Sequence, residues 1–279
     1  MAGGNKGAGN GRTQVALVTG ASSGIGRAVA ERLAADGFRV FGTSRRGGVT
    51  GGGIEMLALD VASDDSVQAC VATLAERTGE VDVVVNNAGY LLGGAIEETT
   101  IEQAKAQFET NFFGAVRIIQ AVLPGMRQRK SGRIVNITSL AGLVPLPFWG
   151  MYNASKFALE GLTETLRYEL APFAIHVSAI EAGLIRTRFY TDDRKAAPIE
   201  AYQPWHRRFR KTMAEFERKA PEPELVAEAV SKAVHAARPA LRYKVTREAT
   251  QFTLLRRFMP AGIFERALRA GFHLDDQKY

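Results

Sequence analysis

The sequence holds a single cysteine, Cys70. That excludes an intramolecular disulfide and any multi-cysteine metal site. Cys70 falls in a helical pattern and reads as a small buried or half-buried side chain. No oxidising compartment is needed. Histidine is also scarce. His176, His206, His235 and His273 lack ligand spacing, so no metal is expected. No run of about 18 apolar residues occurs, and no membrane span is expected. The longest uncharged stretch, Ser139 to Ser155, carries prolines, glycines and an asparagine and suits a loop. Acidic residues number 29 against 36 basic ones, a net charge of +7. That balance admits nucleic acid, anionic lipid or a phosphorylated ligand. Basic runs interleaved with aromatics are absent, so no nucleic-acid partner is expected. The opening "MAGGNKGAGNGRTQ" is glycine-rich and polar, without an apolar secretion segment. It reads as a flexible tail over 1–13, and the chain is expected to be cytoplasmic.

What is present is an ordinary soluble composition, 46% hydrophobic and 23% charged over 279 residues. That length can bury a sizeable core. Short apolar runs alternate with helical patterns. "VALV" (15–18) precedes a helix near 24–36. "RVFGT" (39–43) and "MLALD" (56–60) lead to a helix near 64–77. "VDVVVNNAG" (81–89) precedes one long helix near 101–128. "RIVNITS" (133–139) precedes a helix near 152–171, and "IHVSAIEAG" (175–183) follows. The strands are almost continuously hydrophobic, as in a parallel sheet covered on both faces. The expected fold is a single-domain α/β Rossmann fold, a doubly wound parallel sheet of about seven strands with helices on both faces. It should occupy 14–246.

Residues 184–220 are charged and aromatic without a buried-strand pattern, and read as a loop-and-helix insertion over the sheet's carboxyl edge. A helix near 223–237 and a short strand near 241–245 follow. Residues 247–279 form an amphipathic helical extension, with Phe252, Leu255, Phe258 and Met259 at helical spacing and arginines alongside. It packs on its own domain or a twin subunit; weak peripheral membrane contact is the alternative.

Chemistry concentrates at two places. "TGASSGIG" lies between the first strand and the first helix, with Gly20, Gly24 and Gly26. Glycines there let backbone N–H groups approach a phosphate, and the helix start adds partial positive charge. Alone, such a turn is a weak signal, equally a tight turn without ligand. Its place on the first strand of a parallel sheet points to a dinucleotide. The second place is Ser139 at a strand end, followed by Tyr152 and, four residues on, Lys156. On a helix the last two share a face. A nearby ammonium stabilises a phenolate and lowers a tyrosine pKa from about 10, bringing it toward acid–base work. Ser139 could instead satisfy backbone at a strand end, and Tyr152 and Lys156 could be an exposed surface pair.

Taken together, Gly20, Gly24, Gly26, Asp60, "NNAG" (86–89), Asn111, Ser139, Tyr152 and Lys156 stand in an order and at separations that resemble the short-chain dehydrogenase/reductase family. The resemblance covers about Val15 to Thr187. It implies an NAD(P)(H)-dependent oxidoreductase without metal. Tyr152 would pass a proton to or from the substrate oxygen. Lys156 would lower the tyrosine pKa and bond the nicotinamide ribose. Ser139 would hold the substrate oxygen. Asn111 would hold a helix irregularity and a water leading from Lys156 to solvent. Asp60 and Val61 would meet the adenine, with Asn87, Ala88 and Gly89 lining the adenosine side. Ser22, Ser23 and Ile25 share the glycine turn. Ile185 and Thr187 would contact the carboxamide beside Gly183. Where the family usually has Pro-Gly, this sequence has Ala182-Gly183, with a small expected effect. The family usually forms dimers or tetramers, so a homodimer or homotetramer is expected.

The substrate is less legible. Leu91, Leu92, Leu140, Leu143, Val144, Pro145, Leu146, Phe148, Trp149 and Met151, with Phe189, Tyr190, Tyr202 and Trp205, favour a bulky hydrophobic ketone or alcohol. The later strand, the insertion and the tail are similar to the 17β-hydroxysteroid and retinol dehydrogenase branch. Steroid-, retinoid-, polyketide- and lipid-like substrates all fit. In a dinucleotide fold the end of the second strand lies beside the adenosine ribose, where a carboxylate favours NAD. Here Ser44 and Arg45 stand there, with Thr43 before them, and a guanidinium suits a 2′-phosphate. NADP(H) is the expected cofactor, with Arg46 secondary. The competing reading is a non-catalytic dinucleotide sensor or scaffold.

Overall fold

A computed structural model describes residues 12–49, 52–190, 194–195 and 197–275. Most of the expected N-terminal tail, residues 1–11, lies outside the described residues.

In chain order the elements are β1 (Val15–Val18), α1 (Gly24–Ala35), β2 (Arg39–Ser44), β3 (Gly48–Val49), β4 (Ile54–Ala58), α2 (Asp64–Thr78), β5 (Val83–Asn86) and β6 (Leu92–Gly93). Then come α3 (Ile101–Phe108), α4 (Gly114–Arg129), β7 (Gly132–Ile137), α5 (Gly150–Leu170), β8 (Ile175–Ala182) and β9 (Arg194–Lys195). The chain continues through α6 (Gln203–Lys219), α7 (Glu224–His235), β10 (Arg242–Val245), α8 (Arg247–Phe258) and α9 (Ala261–Gly271). The main sheet runs β10-β8-β7-β5-β1-β2-β4-β3. Its ladders are parallel except for β3, which pairs antiparallel on the edge. The strand order reverses between β1 and β5, where a doubly wound sheet opens a crevice.

The continuous hydrophobicity of the strands has a direct cause. Ala16, Val18, Val83 and Val85 face α1 and α7, packing with Val29, Leu33, Val226 and Val230. Val15, Leu17 and Val84 face α2, α4 and α5, packing with Leu74, Ile118, Met126 and Leu166. Because side chains alternate and both faces are covered, apolar residues dominate both faces of each central strand. Each fully buried side chain such as Leu17 or Val84 contributes about 1.5–3 kcal/mol.

Three boundaries differ from expectation. The strand expected at 56–60 is β4, so Asp60 lies beyond it in a turn, its Oδ1 accepting from Ala62 N at 3.0 Å. The expected helix of 101–128 is interrupted by a π-helical turn, Glu109–Phe113. Asn111, buried inside it and described below, stabilises that irregularity. Two short strands that the sequence pattern does not announce, β6 and β9, form a small parallel pair of their own.

Candidate active site

Directly after β1 comes Thr19, a residue the sequence gives no reason to single out. Its buried hydroxyl accepts from the N–H groups of Asn87 (2.9 Å) and Ala88 (3.0 Å), tying the end of β1 to the segment after β5. Asn87 Nδ2 donates back to the carbonyls of Thr19 (2.9 Å) and Gly20 (3.2 Å). This clasp shapes the glycine turn. Gly20 has φ +67° and Gly24 φ +55°, conformations that favour glycine. Gly26 is demanded by proximity instead: a Cβ there would lie 2.3 Å from Gly20 O and 2.4 Å from Asn87 Nδ2. Ser23 precedes α1 but its side chain does not cap it, so the helix start keeps N–H donors for a ligand.

The turn opens on a cleft of roughly 1250 Å³ along the carboxyl ends of the strands. Gly20, Ser22, Ser23, Gly24, Ile25, Gly26, Ser44, Arg45, Asp60, Val61, Asn87, Ala88, Gly89, Ser139, Tyr152, Lys156, Gly183 and Thr187 all line it. Two expected site residues do not. Ile185 is 1% exposed and packs in the core with residues of α7, so its side chain is turned from the cleft. Asn111 lies one layer beneath. Its Oδ1 accepts from Tyr90 N and its Nδ2 donates to Tyr90 O, both at 3.0 Å. Nδ2 also donates to Ser155 Oγ at 3.4 Å. These bonds hold the π turn against the cleft floor. A small void of about 10 Å³, room for a single water, is lined by Asn111, Asn86 and Lys156.

Ser139 ends the β7 segment and its Oγ accepts from Ala141 N at 3.1 Å. Tyr152 lies in the first turn of α5, buried, with the Ser139 side chain close enough to act on its phenol. The Lys156 Nζ donates to Ile137 O at 2.8 Å and stands 5.8 Å from the Tyr152 ring centre. Burial pushes the Tyr152 phenol up to about 12, with Ser139 drawing it down. Burial also pushes Lys156 down to about 8, opposed by Glu160. The phenol thus stands above its ordinary value, not below it as expected, because desolvation dominates, and Tyr152 stays protonated at neutral pH.

Over Tyr152 sits an aromatic cap. Trp149 meets it edge-on at 6.0 Å and Phe189 at 5.8 Å, and Tyr190 stacks on Trp149 at 5.8 Å. Leu91, Leu146 and Phe148 join as expected. Phe209 and Met213 of α6 and Phe272 after α9 belong to the same cluster and were not foreseen. Tyr202 instead donates its hydroxyl to Glu97 at 2.7 Å, and Trp205 stacks with Arg208, so neither joins the cluster. Glu98, buried, fastens the cap to the body by accepting from Ala95 N (2.7 Å) and Ile199 N (2.8 Å). The C-terminal extension therefore packs on its own domain through Leu268, Phe272 and Leu274, while Leu254, Leu255, Phe258 and Ile263 stay exposed. At the cleft's edge a Cβ on Gly183 would fall 2.3 Å from Thr246 Oγ1, which accounts for that glycine. Ala182, in place of proline, completes β8 opposite Val245.

Among the described residues no cluster of metal-ligating side chains is found, and no helix is long and apolar enough to cross a membrane.

Comparison with known proteins agrees with this geometry. The family model described as short chain dehydrogenase matches residues 14–198. A 3-ketodihydrosphingosine reductase of Bacteroides thetaiotaomicron is 38% identical over 92% of this chain and 97% of its own length. An estradiol 17-beta-dehydrogenase 1 of Rattus norvegicus is 38% identical over 89% of this chain and 78% of its own. A short-chain dehydrogenase structure from Streptomyces avermitilis superposes with a TM-score of 0.80 at 32% identity, covering 96% of this chain and all of that one. An actinorhodin polyketide ketoreductase solved with NADPH gives a TM-score of 0.72 at 34% identity, over 85% of this chain and 97% of that one.

Proposed function

The chain belongs to the short-chain dehydrogenase family, and within it we propose an NADP(H)-dependent oxidoreductase that interconverts a carbonyl and a secondary alcohol on a bulky hydrophobic substrate. The observation that carries the reading is the meeting of Ser139, Tyr152 and Lys156 on one cleft with the glycine turn and Arg45. The glycines whose Cβ positions are blocked or strained leave a bare backbone cradle, which suits a pyrophosphate. Arg45, with Ser44 beside it and no carboxylate on that turn, suits a 2′-phosphate. Asp60 and Val61 would flank the adenine, and Gly183 and Thr187 the nicotinamide end. Relatives named for a ketosphingosine, for estradiol and for a polyketide support a lipophilic substrate, as does the aromatic cap over Tyr152.

When bound, the nicotinamide supplies or accepts the hydride. The chain's own residues handle the proton and the oxygen. Ser139 orients the substrate oxygen by a hydrogen bond. Tyr152, kept neutral by burial, donates its proton to that oxygen in reduction and takes it back in oxidation. An alkoxide is a far stronger base than a phenolate, so the donation runs downhill even from a phenol of high pKa. Lys156, charged at neutral pH, stabilises the phenolate that remains. A water between Lys156 and Asn111 would return the proton. The cap excludes bulk water and strengthens each of these interactions.

The test is NADPH oxidation against a panel of lipophilic ketones. Turnover that falls by about 10²–10⁴ in Tyr152→Phe, with NADPH binding retained, is the expected result. Tight NADPH binding with no turnover, and no effect of Tyr152→Phe, would favour the sensor or scaffold reading. The exposed Leu254, Leu255, Phe258 and Ile263, beside Arg256 and Arg257, favour a second property, weak docking to anionic bilayers. Co-sedimentation with anionic vesicles that persists after truncation at Thr246 would dismiss it.

A further inference from the structure

Behind Lys156 lies a group of charges that this chemistry does not use. Glu160 is one turn further along α5, so its side chain shares a face with that of Lys156. It is nearly buried, and its Oε2 accepts from Arg242 Nε at 3.2 Å. The same guanidinium donates to Glu164 Oε2 at 2.9 Å and approaches Glu181 Oε1 at 3.0 Å. The Glu181 side chain, on β8, is 0% exposed. Neither of its oxygens, nor Glu160 Oε1, accepts a hydrogen bond among the described residues. Three carboxylates thus converge on one arginine, with Lys156 on the far side and Lys244 of β10 also acting on Glu181.

Full ionisation would place unpaired negative charge in a dry site, which costs more than keeping one proton. Burial and the neighbouring Glu160 push Glu181 up to about 7, and burial pushes Glu160 up as well. We propose that Glu160 and Glu181, gathered on Arg242, are positioning residues that keep the Lys156 ammonium charged as pH rises. Below neutrality Glu181 carries a proton. Above it that proton leaves, and the new negative charge holds the Lys156 proton in place up to its midpoint near 8, which a buried lysine without it would reach sooner. The inference rests on the reductase reading for its importance to catalysis, but its test does not.

The test is competitive acetylation with acetic anhydride from neutral to alkaline pH, with mass spectrometry of the Lys156 peptide. In Glu160→Gln the Lys156 midpoint is expected to fall by about one pH unit. In Glu181→Gln it falls in the same direction by less, since only Glu160 shares α5 and its face with Lys156. The exposed Lys130 serves as control and does not move. An unchanged Lys156 midpoint in a variant whose circular dichroism matches wild type overturns the proposal. Should Glu160→Gln fail to fold, Glu181→Gln, which changes no side-chain volume, decides alone. The labelling needs no substrate, so a failure to reduce any ketone would sink the reductase reading and leave this result standing.

Discussion

Replacing Arg45 by alanine tests how the chain would select its cofactor. Arg45 is exposed on the turn after β2 and lines the cleft. The Ser44 hydroxyl donates to Gly47 O at 2.8 Å and fixes that turn, so the guanidinium is presented from a defined backbone. A charge-assisted hydrogen bond contributes about 1.5–3 kcal/mol. Exposure places Arg45 at the low end, about 1.5–2 kcal/mol, or roughly a 10- to 30-fold rise in Kd for NADPH. Arg27 also lines the cleft but is held at 2.7 Å by Glu31, so it replaces little of the loss. NADH carries no 2′-phosphate, and its Kd should change by no more than about twofold, within the usual range for an exposed substitution. Calorimetric titration with both cofactors at low and raised salt gives the comparison. The discrimination should shrink with salt, because an exposed pair is screened. Arg46→Ala should leave both affinities near wild type. Equal weakening of NADPH and NADH by Arg45→Ala, or no weakening of either, would refute the reasoning.

Three further outcomes are expected. Gly26→Ala forces a methyl into Gly20 O and Asn87 Nδ2, so it should destabilise the fold by about 2–4 kcal/mol in urea titration and weaken cofactor binding; a wild-type midpoint would count against the close approach. Ketone reduction should decline as pH rises through about 8, because the Lys156 ammonium is present below that value and lost above it, whereas Tyr152, at about 12, keeps its proton throughout; a rate flat to pH 10 would disagree. Cys70, buried with its thiol pushed up to about 11, should react with Ellman's reagent only slowly until urea unfolds the chain; rapid native labelling would show α2 to be open.

Much of this site was legible because its parts are local. A glycine turn after an apolar run, and a tyrosine four residues before a lysine, are patterns within one strand–turn–helix or one helical turn. The same holds for the sheet, whose continuously apolar strands state that both faces are covered. Thr19 escaped notice because its importance comes from the backbone of Asn87 and Ala88, on the neighbouring segment. The packing of the Ile185 side chain in the core could not be read either, because a sequence position near a cleft does not say which way a side chain points. The helix irregularity at Asn111 came only from the family resemblance and not from the periodicity, since its cause is the Asn111 bonding to Tyr90, across the fold from its own helix.

The sequence by itself determined the doubly wound sheet, the glycine cradle and the serine, tyrosine and lysine set, because hydrophobic period and short-range spacing are properties of the chain. Only the tertiary structure decided the electrostatics. Burial depends on what packs above a residue, and it was packing by Trp149, Phe189 and the distant Phe209 that closed an aromatic cap over Tyr152. Packing likewise set Glu160, Glu181 and Arg242, from three separate elements, behind Lys156. Such charges act through space in a medium of low polarizability, and no spacing along the chain records that distance.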